Sequence, residues 1–422
     1  MKKILYSLLL MFSPAIYFSC SELERIDQID EDAAAPKALS VTEVKNTPGG
    51  AVIRVKIPDD KNLMGAVAEY ERNGKKCIAK ISKYVDSLVV EGFGNTEPRD
   101  IKVSSLGVNE KLSEPVIVTI NPLLPPVQSV KFDIAETFGG VVVKIDNNVS
   151  NADLAIGLLV DTILTDIDLD ASQIKWADVT TFHTSSEAIN LSRRNLSPKQ
   201  RIYGAFLRDR WDNFSDTIYK VLTPIEEIEL KKNTYTNANL PTDWFVVAEG
   251  NESGYGLPKI WDGDLRGTFY ASAHSSPMPS WFTISLGYTA SISRIQKWPR
   301  NDYELYSSTA PRVFEVWGST NPNPNGSFDE SWHLLGTFEQ FKPSGYGEGR
   351  EVGTITEEDK TYWYYNTEFE LVPTEEAPDP YQPVSYIRIK VLSNFATYGT
   401  EATMGQVIIG ELTFWGQMHD DK

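Results

Sequence analysis

Four histidines, His183, His274, His333 and His419, are the only side chains here that titrate near neutrality in their ordinary state. None sits in a catalytic pattern. The chain has no His-Glu-x-x-His to hold zinc, no Gly-x-Ser-x-Gly nucleophile turn, no phosphate-binding P-loop and no Cys-x-x-Cys. Glycoside hydrolysis needs a carboxylate pair at fixed separation. Nothing singles out a pair among the 58 acids, and no region of catalytic-domain size is left unassigned. The acids of Asp161–Ser172, DTILTDIDLDAS, have the spacing of a calcium loop, but Ala171 stands where the turning glycine is required. Gly345-Tyr346-Gly347-Glu348-Gly349 is glycine-rich with no helix pattern behind it, which predicts a hairpin loop. Trp211 between Arg208 and Arg210, in GAFLRDRWDNFSD, offers an aromatic with two cations. The same stretch reads as a strand and hairpin turn with one packed aromatic, and that is the reading adopted.

One pair of segments carries more information. Ile260–Gly287 reads IWDGDLRGTFYASAHSSPMPSWFTISLG, and Glu411–Gly416 reads ELTFWG. The first holds a Trp-Asp-Gly-Asp turn, a threonine, a small-residue stretch with one histidine and a strand. The second is a terminal strand with one acid among apolar residues.

Short alternating runs with Gly, Pro and Asn turns must position these groups, and no long 3.6-residue periodicity appears. The length of 422 residues calls for two or three domains. A weak repeat fills the first half. VTEVKNTPGGAVIRVKIPDD begins at Val41 and SVKFDIAETFGGVVVKIDNN at Ser129. Their Gly-Gly turns, Gly49-Gly50 and Gly139-Gly140, lie 139 − 49 = 90 residues apart, the size of one small β-sandwich. Leu123-Leu124-Pro125-Pro126 makes a stiff joint between the copies. Two fibronectin-III-like or immunoglobulin-like sandwiches are expected, at 37–124 and 125–228. A third region, 232–418, holds eight of the ten tryptophans. Its runs Phe282–Leu286, Val313–Val316 and Tyr386–Val391 place their apolar residues on one face, as strands of a jelly-roll sandwich. The polar stretch Lys231–Asn239 is the expected boundary before it. The fold class is all-β throughout.

The formal charge is −18, so nucleic acid and anionic membranes are repelled on average. Lys2 and Lys3 precede an apolar run to Phe18, the pattern of a signal peptide (1–20). Cys20 just after that run resembles the lipidation site of a bacterial lipoprotein, with membrane contact only through the lipid. The acidic stretch 21–36 reads as a flexible tether. Acids after a lipidated cysteine also resemble the address for the outer face of the outer membrane; the alternative is a plain solvated linker. Cys77 shares a strand face with Ala79 and Ile81 and is expected as a buried core thiol.

From Ile260–Gly287 to Glu411–Gly416 the third region resembles discoidin-like modules, the coagulation factor V/VIII type C or galactose-binding-like family, which includes many carbohydrate-binding modules. Four stretches in order carry the resemblance: Ile260–Gly287; Ile292–Ile295 with Pro299-Arg300; Arg312–Ser319 with Trp332 and Leu334–Gly336; and Tyr386–Leu392 leading to Glu411–Gly416. The three-part chain also looks like surface lipoproteins encoded beside polysaccharide-uptake systems of the Bacteroidota. The resemblance implies a structural Ca²⁺ held by Asp262, Thr268 and Glu411, with Asp264 as a further ligand and loop carbonyls completing the shell. The metal-free alternative is that these residues cap a turn and hydrogen-bond the terminal strand. It further implies a sugar site at the loop end, built from His274, Trp298, Arg300, Asn301, Phe395 and Tyr398. Trp281 and Trp317, on strands, are expected in the core. The function implied is non-catalytic capture of a polysaccharide or oligosaccharide at the cell surface, beside outer-membrane uptake proteins. The alternatives are a structural or protein-interaction subunit of an outer-membrane assembly without sugar binding, and a glycan-processing enzyme.

Overall fold

A computed structural model describes residues 29–163, 173–244, 246–300, 305–348 and 351–419. The signal segment, Cys20 and Asn301 lie outside the described residues, as does most of the calcium-loop-like run Asp161–Ser172. The described chain is all-β, as its alternating pattern predicts.

Contacts divide the chain into two compact units. One takes in the chain up to Val130 with Ala152–Leu154 and Leu207–Asp216; the other holds Lys131–Asn151, Ala155–Phe206 and Thr217–Lys422. The first repeat builds a sheet of Ser40–Thr47, Gly50–Lys56 and Ser87–Glu91, and a second of Lys75–Ser82, Leu63–Arg72, Arg99–Gly107 and Val116–Ile120. The second repeat gives the same three-plus-four arrangement. Phe132–Thr137, Gly140–Ile145 and Ile189–Arg193 form one sheet, and Leu154–Asp161, Trp176–Thr184, Arg201–Arg208 and Ile218–Leu222 the other.

The Gly-Gly turns show why the repeat is legible. The first glycine of each pair takes a left-handed φ, +66° at Gly49 and +69° at Gly139, where a side chain would be strained. The second glycine abuts the next strand. A Cβ would stand 2.2 Å from the Val90 carbonyl oxygen at Gly50 and 1.7 Å from that of Arg193 at Gly140. The chain leaving each sandwich is pinned at this turn: Gly49 N–H donates to Leu123 O (2.9 Å) and Gly139 N–H to Ile225 O (2.7 Å).

Two expectations need correction in the first unit. The end of the acidic tether is held: the Asn109 amide donates to Ala33 O at 2.9 Å and the Lys111 ammonium to Glu31 O at 2.8 Å. Cys77 is half-buried, because its strand is a sheet edge that pairs on one side only. The hairpin reading of Gly204–Asp216 agrees with the structure. Trp211 lies between two guanidiniums, 4.3 Å from Arg210 and 6.0 Å from Arg72.

In the third region the strand Ser280–Trp298 runs through two layers. Its first half pairs with Val384–Asn394, its second with Glu411–His419, and the register shifts between Ser285 and Ala290. Gly287, with φ +79°, sits in that shift. Pro311–Ser319 and His333–Glu339 extend the first layer, and Glu368–Glu370 and Ile228–Glu229 flank the second. One core of Phe282, Ile284, Ile292, Ile295, Phe414 and their neighbours fills the space between.

The polar stretch Lys231–Asn239 is part of this domain. Leu230 N–H donates to Phe414 O (2.8 Å), Thr236–Asn237 pairs with Ser285 and Ile284, and Tyr235 is buried in the core. The segment reads as polar because most of its other residues, Lys231, Asn233, Thr234, Thr236 and Asn239, are exposed. Just before it, Glu227 forms a buried junction with the second sandwich. Its carboxylate accepts from Arg194, from the Ser293 hydroxyl (2.5 Å) and from Arg294 (3.4 Å), and Arg194 also reaches Glu370 (2.5 Å). Burial works to raise the Glu227 carboxyl, but Ser293 and the two guanidiniums outweigh it and hold it below the ordinary glutamate range.

Candidate functional site

Backbone bonds stitch several loops into one end of the C-terminal sandwich. Tyr270–Ala271 pairs with Ile408–Ile409, and Gly410 N–H donates to Trp298 O (3.0 Å). Met278 N–H reaches Thr403 O (2.9 Å) and Gly405 N–H reaches Ser276 O (2.8 Å). Ala396 N–H donates to Ser308 O (2.9 Å). The sequence therefore brings the loops carrying His274, Trp298, Arg300 and Tyr398 to the same end.

Their environments differ. His274 is exposed, on the loop after Ala273. Trp298 ends its strand opposite Glu411 and is half-buried. The Arg300 guanidinium lies 4.7 Å from the Phe269 ring centroid, and Phe269 stacks on Tyr255 at 5.4 Å with an interplanar angle of 30°. The Arg300 cation thus sits over one ring of an aromatic pair. Tyr398 presents one face to the buried Arg312 guanidinium, 3.6 Å from its centroid, with Tyr346 at 4.1 Å from the same cation. Phe395 is a core residue, packed with Tyr306 and Trp363 and 8% exposed. Its loop turns that ring inward, so its place in the sugar-site set is corrected.

Phe269, Tyr255, Arg312 and Tyr346 escaped the sequence reading. Phe269 precedes a buried strand residue, Tyr270, and alternation alone puts it on the other face; that was the available signal. Trp281 and Trp317 are not in the core either. Phe282, Phe314 and Val316 face inward, so both tryptophans face out and pack edge-on against Phe328, at 5.1 and 5.2 Å. The loop bearing Phe328 covers a sheet face that strand periodicity could not show to be covered. Beneath it the Arg388 guanidinium is fully buried, 4.2 Å from the Trp332 ring and 3.3 Å from Asp243. Burial lowers the Arg388 pKa and raises that of Asp243.

The acids implied for calcium are engaged otherwise. Asp262 accepts from the Thr268 hydroxyl (2.9 Å) and lies 3.5 Å from the Lys259 ammonium. Asp264 caps its own turn, accepting from Gly267 N–H at 2.7 Å and Arg266 N–H at 3.2 Å. Glu411 Oε1 accepts from the Lys232 ammonium and from Gly263 N–H (3.2 Å). Among the described residues no three His, Cys, Asp or Glu side chains converge as a metal site. Two carboxylates already matched by two ammoniums do not fit a divalent ion that needs six to eight oxygens.

Three family models match, each described as a domain of unknown function: DUF4959 over residues 36–122, DUF5126 over 123–233 and DUF5000 over 261–416. No curated protein matches. Among solved structures the chain is similar to a SusE-like protein, at 26% identity, covering 70% of this chain and 100% of that one, with a TM-score of 0.42. It is also similar to a family 32 carbohydrate-binding module from a family 31 glycoside hydrolase of Clostridium perfringens, at 15% identity, 45% and 95% coverage and a TM-score of 0.29. A putative chitobiase fragment from Bacteroides thetaiotaomicron gives 16% identity, 46% and 96% coverage and a TM-score of 0.31.

Proposed function

We propose that this chain is a non-catalytic carbohydrate-binding protein of the cell surface, anchored by a lipid on Cys20 and working beside outer-membrane uptake proteins. The sugar is held at the loop end of the C-terminal sandwich. The observation that carries this reading is the Arg300–Phe269–Tyr255 pile. Sugars offer vicinal hydroxyls at their edges and apolar C–H faces, and a guanidinium beside aromatic rings is suited to both. Exposed His274 and half-buried Trp298 stand on loops joined to the same end, and they supply a further donor and a ring face.

The reading is tested by screening the full-length protein, freed of its signal segment, against soluble and insoluble polysaccharides. Retention on at least one neutral polysaccharide, with no new reducing ends released, supports it. Failure to retain any, by a protein that melts cooperatively, removes it.

A further inference from the structure

The Lys232 side chain is 14% exposed and that of Glu411 is fully buried. The ammonium contacts Glu411 Oε1 and lies 2.9 Å from the Thr413 hydroxyl. The same carboxylate oxygen accepts from Gly263 N–H, in the middle of the Trp-Asp-Gly-Asp turn. One carboxylate oxygen, paired with Lys232, therefore ties together the segment entering the domain, the turn and the terminal strand. Among the described residues Glu411 Oε2 is buried without a hydrogen bond, and Lys232 is the only cationic partner of this carboxylate. Beside it, Lys259 faces Asp262 at 3.5 Å. These four charges sum to zero with no added ion, and Asp264 is engaged in capping its own turn.

We propose that Lys232 is a tethered cation standing in the place of a structural calcium, so that the turn and the terminal strand are locked without metal. A bound ion stabilises by mass action and is lost on dilution or chelation. A lysine in the chain is present at every metal concentration. Lys232 lies outside the 261–416 match and inside the 123–233 match. The segment leaving the second sandwich thus supplies the charge that the C-terminal turn requires. Although Glu411 pairs across the strand with Trp298, the test of this lock reads stability and not sugar binding, so either proposal can fail alone.

The test is thermal melting of the full-length protein followed by tryptophan fluorescence. The wild type should melt at the same temperature in excess EDTA and in millimolar CaCl2. Lys232→Met strands a buried carboxylate and should lower the melting temperature on the order of 10 °C. The double variant Lys232→Met/Glu411→Gln should lose less than the two single losses added together. A wild-type melt lowered by EDTA overturns the proposal, as does a Lys232→Met protein that melts like wild type or a double variant with additive loss. If Lys232→Met does not fold, the comparison of wild type with and without chelator decides alone.

Discussion

Lys297 gives the most quantitative prediction. It is 6% exposed, one residue before Trp298, and its ammonium donates to Pro311 O at 3.0 Å and lies 5.6 Å from the Trp363 ring centroid. Among the described residues no carboxylate pairs with it, and burial alone pushes its pKa down to about 7. The unfolded value is the ordinary lysine one, about 10.4. Between the two values the unfolded chain binds more protons than the folded one, so stability rises with pH. The limiting slope is about 1.4 kcal/mol per pH unit. Half-titration near pH 7 softens it, and the gain from pH 7 to pH 9 comes to about 2 kcal/mol. Lys297→Met removes this dependence and leaves Pro311 O without its donor, a loss of about 1–3 kcal/mol that does not vary with pH. The assay is urea denaturation of both proteins at several values between pH 7 and 9, read by tryptophan fluorescence, which reports mainly the C-terminal domain. The stability of wild type relative to Lys297→Met should climb by about 2 kcal/mol across that range. A difference that stays flat would show that the ammonium is charged and solvated in the folded protein, and the burial argument would be wrong.

Three further outcomes are expected. Glu227→Ala removes the acceptor shared by Arg194, Arg294 and Ser293, while Arg194 keeps Glu370 and Arg294 keeps Glu368, and should destabilise the unit by about 1–3 kcal/mol in urea melts. Because the folded Glu227 carboxyl is held below its ordinary value, its contribution is present above the unfolded glutamate pKa and fades as pH falls through the folded one; Glu227→Ala should flatten that acid limb. Gly140→Ala would put a Cβ 1.7 Å from the Arg193 carbonyl, and a loss of at least about 2 kcal/mol in denaturant melts checks it, because backbone must move. If the proposed lipid anchor holds, Cys20→Ala should remove acyl labelling and release the protein from the membrane fraction; retention of a processed Cys20→Ala protein would contradict the anchor.

The strands of the C-terminal sandwich were legible because alternation records which face is buried, and Phe282–Leu286 and Tyr386–Val391 fall where expected. The Gly-Gly repeat was legible because each glycine answers a separate backbone demand. Alternation says nothing about what covers the outer face, so Trp281 and Trp317 were assigned inward and the Phe328 loop was missed. Loop rings were harder still. Phe395 and Tyr398 are three residues apart, yet one is buried and the other half-exposed, a difference set by contacts with Trp363 and Arg312 far away in sequence. Lys232 was hidden because a lysine in a polar segment reads as solvated; only the fold aims its ammonium at Glu411.

The central claim is that the loop end binds a sugar through Arg300, which lies over Phe269. Calorimetric titration of a polysaccharide that retains the protein, into wild type and Arg300→Ala, tests it most directly. The account predicts about a 10- to 100-fold loss of affinity, the worth of a charge-assisted hydrogen-bond pair, with a melting temperature close to that of wild type. An Arg300→Ala protein that melts normally and binds as tightly as wild type would contradict it.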